Sequence, residues 1–349
     1  MKIIVTGGAG FIGSALIKLL IKKKHKVLNI DKITYASDLR SLKRIKNNRN
    51  YIFKKADICN EKLIQKIIFN YKPDAIFNLA AETHVDRSIE SQSNFIKTNI
   101  LGTFVLLKSS RIYFENKKKK LFKFIHISTD EVYGDLKLNE KSFTEESRYK
   151  PSSPYSASKA SSDHLVRSWF KTFKFPGIIT NCSNNYGPFQ FPEKFIPHMI
   201  ISGLLNKKLP VYGSGRNIRD WLHVEDHVNA LYLVLKKGKT GETYNIGGDT
   251  EKKNIDVVNL ICEQLNKMKI RNNFDFKSLI AFVQDRPGHD KRYSINTKKI
   301  KSELKWKPKY KFENGLRSVI KWYIDNSDWW KSIIIKKYKI KRMGIINDE

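Results

Sequence analysis

Short apolar runs alternate with amphipathic helical patterns along the first half of the chain. Runs of strand length cover residues 3–6, 27–30, 51–53, 75–79 and 124–127. Apolar residues at helical spacing follow several of these runs. Strands that alternate with helices in this way are typical of βαβ units and a parallel sheet. The pattern predicts an α/β fold, a Rossmann-type doubly wound parallel sheet.

The alternation loosens after residue 190. A polar turn at residues 181–188 comes shortly before, and residues 192–197 open a region of shorter elements. We therefore expect residues 1–190 to form the sheet domain and residues 191–330 a smaller C-terminal α/β domain. Some strands and helices of the second region can return to the first. Residues 331–349 form a lysine-rich tail.

A phosphate-binding turn is predicted directly after the first strand. Gly8, Gly10 and Gly13 fit G-x-G-x-x-G, and Gly7 with the last two fits the looser G-x-x-G-x-x-G. Glycines in this position let the backbone approach a pyrophosphate at a helix N-terminus. A structural turn that binds no cofactor is the alternative, but the strand before the turn and the helical pattern after it favour a dinucleotide.

Asp31 ends the second strand, where a carboxylate can accept from the adenosine ribose hydroxyls. The same carboxylate would repel a ribose phosphate, which favours NAD over NADP, although Lys32 beside it weakens that preference. Further along, Asp57 with Ile58 can reach the adenine, or Asp57 can simply cap the next helix; the sequence leaves both interpretations open.

Small residues follow the fourth strand, and a long helical pattern comes after them. Ala80 and Ala81 would let a cofactor pass close to the backbone. His84 lies in the polar stretch behind them, and a lone histidine is more often packed or exposed than catalytic. The apolar residues between Ile96 and Leu107 predict one long amphipathic helix.

A hydroxyl, two carboxylates, a phenol and an ammonium lie in the central segment. Thr129, Asp130 and Glu131 follow an apolar run, so we expect them at the carboxyl end of a strand, where open α/β sheets bind ligands. After Ser153, which can cap a helix, Tyr155 and Lys159 fall four residues apart on one helical face. The ammonium is expected to lower the pKa of the phenol, which makes Tyr155 a candidate general base. A merely polar turn is the alternative for the two carboxylates.

Two arginines lie on a glycine-rich loop in the second region. Arg216 and Arg219 follow Gly213 and Gly215, an arrangement that could grip a diphosphate bidentately. A solvated loop is the alternative, and it fits Arg216 better than Arg219.

The chain is strongly basic, with a formal net charge of +32 from 66 lysines and arginines against 34 acidic residues. Such a charge can indicate nucleic acid, an anionic membrane or an anionic substrate. The basic residues are scattered, in runs such as 22–24, 117–120 and 336–342, and no nucleic-acid-binding motif accompanies them. We interpret the charge as a solvated surface and expect neither a nucleic acid nor a membrane partner.

The cysteines and the first residues indicate the compartment. Cys59, Cys182 and Cys262 are scattered, which suits a reducing compartment and predicts no disulfide and no metal site. An apolar strand starts by residue 3, which leaves no room for a signal peptide, and no run is long enough to span a bilayer. We expect a cytoplasmic protein.

Together these motifs resemble the extended short-chain dehydrogenases/reductases, and among them the dTDP-glucose 4,6-dehydratase family of nucleotide-sugar enzymes. The acid pair after Thr129 is similar to that family's pattern and unlike that of sugar epimerases. Further similar motifs, in the same order, are residues 80–89, 183–188, 191–194, 219–221 and 285–289. Two departures are Thr83, where the family usually has serine, and Asn181, where many members have arginine.

The resemblance implies dehydration of dTDP-glucose to dTDP-4-keto-6-deoxyglucose. Tyr155 would take the C4 hydroxyl proton while NAD accepts hydride, with Thr129 bonded to the same hydroxyl. Glu131 would then remove the C5 proton, while Asp130, held protonated by its neighbour's charge, protonates the departing C6 hydroxyl. Return of hydride to C6 would regenerate the cofactor.

The resemblance also implies the binding residues and a homodimer, paired through helices around residues 95–107 and 155–170. The first region would bind NAD and hold the catalytic residues, and the second would mainly bind the nucleotide sugar. The NAD-binding residues would be Gly7, Gly10, Phe11, Ile12, Gly13, Asp31, Lys32, Thr34, Asp57, Ile58, Leu79, Ala80, Ala81, Thr98, Tyr155, Lys159 and Asn185. The substrate-binding residues would be Thr83, His84, Thr129, Asn184, Glu193, Lys194, Phe195, Pro210, Tyr212, Arg219, Asn254, Arg286 and His289.

Two other functions compete with this interpretation. Another NAD-dependent nucleotide-sugar enzyme, a 4-epimerase or a decarboxylase, would share the cofactor chemistry but need no acid pair. A basic, nucleic-acid-associated protein on a dinucleotide fold would concentrate its lysines and arginines on one element, and the observed scatter argues against it.

Overall fold

The computed structural model describes residues 1–117 and 121–336. In chain order the strands there are β1 (Lys2–Thr6), β2 (Lys26–Asp31), β3 (Tyr51–Lys55), β4 (Ala75–Asn78), β5 (Lys123–Thr129), β6 (Gly177–Cys182), β7 (Asn184–Tyr186), β8 (Leu209–Tyr212), β9 (Ile218–His223), β10 (Thr243–Ile246), β11 (Glu251–Lys253) and β12 (Ile280–Val283). The helices are α1 (Phe11–Lys22), α2 (Glu61–Tyr71), α3 (Val85–Glu90), α4 (Ser93–Phe95), α5 (Gly102–Lys117), α6 (Pro154–Phe173), α7 (Phe195–Leu204), α8 (Val224–Lys237), α9 (Asn254–Lys267), α10 (Lys298–Leu304), α11 (Phe312–Asp325) and α12 (Ser327–Lys336).

A parallel sheet of seven strands organises the molecule. Its order is β10-β6-β5-β4-β1-β2-β3, and each neighbouring pair runs parallel. The order reverses at β1, so the crevice outside its carboxyl end is the switch point where such sheets bind ligands. The predicted Rossmann-type doubly wound fold is confirmed.

Both faces of the sheet are covered by helices. Alternate strand residues separate the two cores: Ile3 and Val5 face the core that contains α1, α8 and α10, whereas Ile4 faces the core that contains α2, α5 and α6. Because both faces are buried, the central strands are mainly apolar, which is why they can be recognised in the sequence as short apolar runs.

A third core lies in the region after residue 190. It joins α7, α9, α11 and α12 with two small sheets, of order β11-β9-β7 and β12-β8. By contrast β10 returns to the edge of the large sheet, and α8 and α10 pack on the first core. The second region therefore contributes to the third core and also to the core that contains α1, as we expected from the sequence. The division at residue 190 stays a prediction.

The predicted long helix is interrupted. A π-helical segment, Ile96–Leu101, separates α4 from α5. The wide turn directs Thr98 and Asn99 inwards, where both are buried, and leaves Ile96 and Leu101 at 53% and 45% exposure. Such segments often occur at functional sites. The expectation of one continuous amphipathic helix is corrected accordingly.

The lysine-rich runs at 117–120 and 336–342 lie almost entirely outside the described residues, as does the predicted tail beyond α12. Among the helices of the described residues, none combines the length and the apolar character that crossing a membrane requires.

Candidate active site

A cavity lies at the carboxyl edge of the large sheet, where β1, β2, β4, β5 and β6 end. Its lining brings together distant parts of the chain, from the glycine turn to the region after β7. Of the residues predicted to bind NAD, the lining includes Gly7, Gly10, Phe11, Ile12, Gly13, Asp31, Lys32, Thr34, Ile58, Leu79, Ala80, Ala81, Thr98, Tyr155, Lys159 and Asn185.

The glycine turn leaves no space for side chains. Gly7 has φ 68°, and a Cβ there would lie 2.7 Å from the Ala80 nitrogen. A Cβ on Gly13 would lie 2.3 Å from the Gly7 carbonyl oxygen. The backbone of the turn, with α1 starting directly after Gly10, therefore forms a bare cradle of the kind that receives a pyrophosphate. The turn fits a dinucleotide cofactor.

Asp31 organises the loop around the cavity. One carboxylate oxygen accepts from the Ala9 backbone N–H at 2.9 Å, and the other accepts from Ile33 N–H and the Ser37 hydroxyl. A carboxylate offers about four acceptor positions, so one remains for a ribose hydroxyl. Lys32 reaches across to the Thr98 hydroxyl at 3.1 Å.

Asp57 does not line the cavity, although Ala56 and Ile58 on either side of it do. Its carboxylate accepts a hydrogen bond from the Cys59 backbone N–H at 2.9 Å. The alternative that it caps the next helix is wrong, because Asn60 is the N-cap of α2. Its cofactor role stays a prediction.

The catalytic candidates converge on the same cavity from two elements. Thr129 ends β5, and Asp130 and Glu131 begin the 3₁₀ turn Asp130–Tyr133. Tyr155 and Lys159 face them from the first turns of α6, which Ser153 caps as predicted. All five line the cavity, and the Thr129 hydroxyl donates to Asp130 Oδ1 at 3.3 Å. The register of β5 and the cap of α6 thus hold the hydroxyl, acid and phenol groups side by side.

The two neighbouring carboxyls have different environments. Burial, and then the charge of Glu131, raise the pKa of Asp130 well above its usual value. Burial also raises the pKa of Glu131, but the cations Arg286, Arg219 and Lys194 oppose that effect. One oxygen of Asp130, Oδ2, is buried and finds no hydrogen-bond partner within the described residues. The two environments therefore favour the protonated form more strongly at Asp130, whereas the nearby cations favour the carboxylate form of Glu131.

The expectation that Lys159 lowers the pKa of Tyr155 is wrong for this structure. Burial, followed by the charge of Glu131, raises the pKa of Tyr155 well above 10. The Lys159 ammonium instead donates to the Ile127 carbonyl oxygen at 2.8 Å, and burial lowers its pKa to about 8. Burial and the neighbouring Glu131 therefore favour the protonated phenol, and a cation within the cavity would oppose them.

The substrate candidates fall into two groups. Thr83, Thr129, Asn184, Glu193 and Lys194 line the cavity. The others lie outside its lining: His84, Phe195, Pro210, Tyr212, Arg219, Asn254, Arg286 and His289.

Three of the substrate candidates outside the lining, Arg286, Tyr212 and His289, pair with acidic side chains and form a charged cluster. Arg286 pairs with Asp86 at 2.7 Å, and the Tyr212 hydroxyl donates to the same carboxylate at 3.4 Å. His289 lies 2.6 Å from Asp285. The charges of Arg286 and Arg219 act on Glu131, which places this cluster directly behind the acid pair.

The remaining substrate candidates have structural contacts of their own. His84 is the N-cap of α3, and Phe195 stacks on Trp221 at 6.0 Å between ring centroids. Pro210 lies in β8, and Asn254 begins α9. Their part in binding stays a prediction.

The prediction that both arginines lie on one glycine-rich loop is wrong, because Arg219 lies within strand β9 and only Arg216 precedes that strand. Arg219 is buried, donates to the Ile218 and Asp290 carbonyl oxygens and lies over the Tyr293 ring at 4.2 Å. Arg216 is exposed, as the solvated-loop alternative anticipated. The guanidinium of Arg219 makes three hydrogen bonds to backbone carbonyls, the third to Lys291 at 3.5 Å, so only its remaining N–H groups could face a diphosphate.

The sequence analysis did not predict that Tyr35, Arg87 and Glu193 interact with one another, with Glu193 lining the cavity. We call this cluster of three side chains the clasp. The Tyr35 hydroxyl donates to Glu193 Oε1 at 2.9 Å, and Arg87 pairs with Glu193 Oε2 at 3.1 Å while stacking on the Tyr35 ring. Other lining residues that were not predicted include Ser37, Glu82, Ser183, Gln190 and Phe191. Glu82, Ser183 and Phe191 lie inside motifs that the sequence analysis recognised, although no role was assigned to them there. Ser37 and Gln190 belong to none of those motifs.

Comparison with known proteins agrees with the geometry. The family model described as GDP-mannose 4,6 dehydratase matches residues 4–319. A dTDP-glucose 4,6-dehydratase of Neisseria meningitidis is 53% identical, over 98% of this chain and 99% of that protein. One of Escherichia coli is 52% identical, over 99% and 100% respectively.

Solved structures give the same result. The Bacillus anthracis dTDP-glucose 4,6-dehydratase in complex with NAD is 45% identical with a TM-score of 0.85, covering 95% of this chain and 99% of its own. The Streptomyces venezuelae enzyme, also with NAD bound, is 38% identical with a TM-score of 0.88, covering 95% and 100%. The chain belongs to the family of the dTDP-glucose 4,6-dehydratases.

Proposed function

We propose that this protein is an NAD-dependent lyase that dehydrates dTDP-glucose to dTDP-4-keto-6-deoxyglucose. The observation that carries the proposal is the acid pair Asp130 and Glu131 in one cavity with Thr129, Tyr155 and Lys159. A 4-epimerase or a decarboxylase needs the last three groups but has no use for an acid and a base that differ in protonation.

The cradle formed by Gly7, Gly10 and Gly13 and the carboxylate of Asp31 would hold NAD. When bound, NAD supplies a hydride acceptor for C4, a hydride donor for C6 and a positive charge in the cavity. The protein contributes the groups that handle protons at neighbouring atoms.

Tyr155 would take the proton of the C4 hydroxyl, and Thr129, which lines the same cavity, would orient that hydroxyl. Because burial beside Glu131 raises the pKa of Tyr155, this transfer depends on cations within the cavity. Lys159 is the protein's own cation there, one helical turn from the phenol on α6.

The elimination would use the acid pair. Oxidation to a 4-ketone acidifies the C5 proton, which Glu131 removes as the electrons of that bond move towards C6. As the C6–oxygen bond breaks, Asp130 donates its proton to the departing hydroxyl, and water leaves. Glu131 then returns a proton to C5. The unpartnered Oδ2 of Asp130 suits the role of acid, since no described residue competes for its proton.

Positive charge behind the acid pair supports binding of a nucleoside diphosphate. Lys194, Arg219 and Arg286 all act electrostatically on Glu131, and Thr83 and Asn184 line the same side of the cavity. These residues would hold the substrate, mainly from the region 191–330, while residues 1–190 hold the cofactor and the catalytic groups.

A homodimer is also part of the proposal. Ile96 and Leu101 on the π segment are about half exposed, and Phe173 at the end of α6 is 39% exposed. These apolar side chains belong to the two helices expected to pair subunits, and a second copy would cover them. Sedimentation of the purified protein tests this, and a monomer at micromolar concentration would contradict it. A cytoplasmic location stays a prediction from the sequence.

Mass spectrometry of dTDP-glucose incubated with the purified protein, without external reductant, tests the function. We expect loss of one water from the sugar, and a weaker reaction with UDP-glucose. An unchanged mass with an epimerised sugar would overturn the dehydratase and leave the acid pair without a role.

A further inference from the structure

A buried polar network lies behind Lys159, on the side away from the cavity. It includes His126 on β5 and Asp163 on α6, which are both 0% exposed. His126 Nε2 lies 3.4 Å from the Lys159 ammonium and 3.3 Å from Asp163 Oδ1. The imidazole therefore lies between the cavity lysine and a buried carboxylate.

The hydrogen bonds determine the tautomer of His126. Thr6 accepts from the Ala80 backbone N–H, so its hydroxyl donates to Asn78 Oδ1 at 2.9 Å and fixes that amide. The Asn78 amide nitrogen then donates to His126 Nδ1 at 3.1 Å. Nδ1 must be an acceptor, and the ring proton is on Nε2.

The protonated Nε2 faces two acceptors on α6. Ser162 Oγ lies at 3.1 Å and gives its own proton to the Lys159 carbonyl oxygen, and Asp163 Oδ1 lies at 3.3 Å. Burial and the neighbouring ammonium lower the pKa of His126 to about 4, so the ring is neutral near pH 7. It lies beside the carboxyl group at 3.3 Å without a hydrogen bond to Oδ1.

Asp163 is surrounded by donors on its other oxygen. Ser128 Oγ donates at 2.8 Å and the Tyr149 hydroxyl at 3.0 Å. Two hydroxyl donors thus converge on Oδ2, while Oδ1 has no hydrogen-bond partner within the described residues. Asp163 is held in this way four residues after Lys159, so the carboxyl and the amine lie on one face of α6.

We propose that Asp163, held by Ser128 and Tyr149, is a positioning residue that keeps the Lys159 ammonium charged and directed at the cavity. The groups that face Lys159 are Asp163 and Tyr155 from its own helix, His126 from β5 and Cys182 from β6. Of these only Asp163 is a carboxyl group; burial raises the pKa of the Cys182 thiol to about 12 and that of the Tyr155 phenol well above its usual value.

The consequence for catalysis rests on the proposed function. Lys159 must be charged to assist proton transfer to Tyr155, so activity is lost as pH rises through the pKa of Lys159, about 8. Without the carboxylate, the ammonium is easier to deprotonate, and that loss moves to lower pH. Opposite charges at such range shift a pKa by about one to three units.

The test compares Asp163→Asn with Tyr149→Phe. The first removes the charge and keeps the shape; the second removes one hydrogen bond to the same carboxylate and keeps the charge. We expect the alkaline limb of kcat/KM to move about one pH unit lower in Asp163→Asn and to stay in place in Tyr149→Phe. Equal shifts of the alkaline limb in both variants, or no shift in Asp163→Asn, would overturn the proposal. If Asp163→Asn does not fold, a shifted alkaline limb in Tyr149→Phe would overturn it by itself.

A second readout does not depend on turnover. The rate of acetylation of Lys159 by acetic anhydride, followed by peptide mass spectrometry against pH, reports the neutral amine directly. Its midpoint is expected to fall by about one unit in Asp163→Asn alone. If the wild-type protein releases no water from dTDP-glucose, the proposed function fails while this measurement still decides the role of Asp163.

Discussion

The two sides of the cavity are built in different ways. The cofactor side comes from consecutive elements: Asp31 contacts Ala9 and Ser37, 22 and 6 residues away. The substrate side is assembled from remote segments: Arg286 pairs with Asp86 across 200 residues, and Lys194 donates to the Thr83 carbonyl oxygen across 111. Local contacts follow from short motifs, whereas remote ones require the whole fold.

The difference has a functional consequence. The cofactor side is a rigid backbone surface that several related reactions can share, and the solved epimerases with which this chain aligns are consistent with such sharing. The acid pair stands between the two sides, at the end of β5, with the remote cations behind it. Selectivity for one reaction is therefore set where local and remote parts meet.

The largest expected loss of activity comes from a substitution in the acid pair. Glu131→Gln removes the base but keeps the shape, so dehydration should fall by about a thousandfold, within the range that general bases contribute. Oxidation at C4 should survive, visible as a stable NADH absorbance after dTDP-glucose is added. Glu146→Gln, an exposed position, is the control and should retain full activity. Normal turnover by Glu131→Gln would remove the acid pair from the mechanism.

On the cofactor side, Gly13→Ala should weaken NAD binding by about 10- to 100-fold, the equivalent of roughly 1–3 kcal/mol of overpacking. The new Cβ would lie 2.3 Å from the Gly7 carbonyl oxygen, so the turn must move. Cofactor retained after gel filtration measures the effect. Gly10→Ala, with 3.2 Å to the same oxygen, should lose less. Equal retention in both variants would contradict the cradle.

On the substrate side, Arg286→Ala should raise KM for dTDP-glucose by about tenfold, roughly 1.4 kcal/mol, and leave NAD content unchanged. The guanidinium supplies charge behind Glu131 and pairs with Asp86. Arg216→Ala removes an exposed arginine from the glycine-rich loop and should change KM less than twofold. If Arg216→Ala had the stronger effect, the diphosphate site would have been assigned to the wrong arginine.

The smallest effect concerns stability. The pKa of Asp130 is raised in the folded state, so its contribution to stability is full below the unfolded pKa and is lost as pH rises through the folded value. Asp130→Asn removes that loss and should raise Tm at neutral pH by about 2–4 °C while turnover falls. Calorimetry at neutral and acidic pH checks this, since the difference should shrink towards acidic pH. A lower Tm at neutral pH would contradict the raised pKa of Asp130 in the folded protein.

Much of the site was readable from short patterns. The glycines after β1, Asp31 after β2 and the Thr129 triplet after β5 were recognisable because strand ends of a parallel sheet meet at one edge. The clasp of Tyr35, Arg87 and Glu193 was not, because its members share no spacing. The pKa of Tyr155 was predicted in the wrong direction, since the sequence places Lys159 near it but does not show that Glu131 and burial outweigh the lysine.

The sequence by itself determined the sheet, the cofactor turn and the five groups that converge on the cavity, because these depend on periodicity and on residues a few positions apart. Only the tertiary structure decided that Ile96–Leu101 adopts a π turn, that β10 returns to the large sheet and that Arg219 is tied to backbone carbonyls. It also placed Asp163 behind Lys159 and next to His126. Such contacts arise from burial and charge between distant segments, which no local pattern encodes.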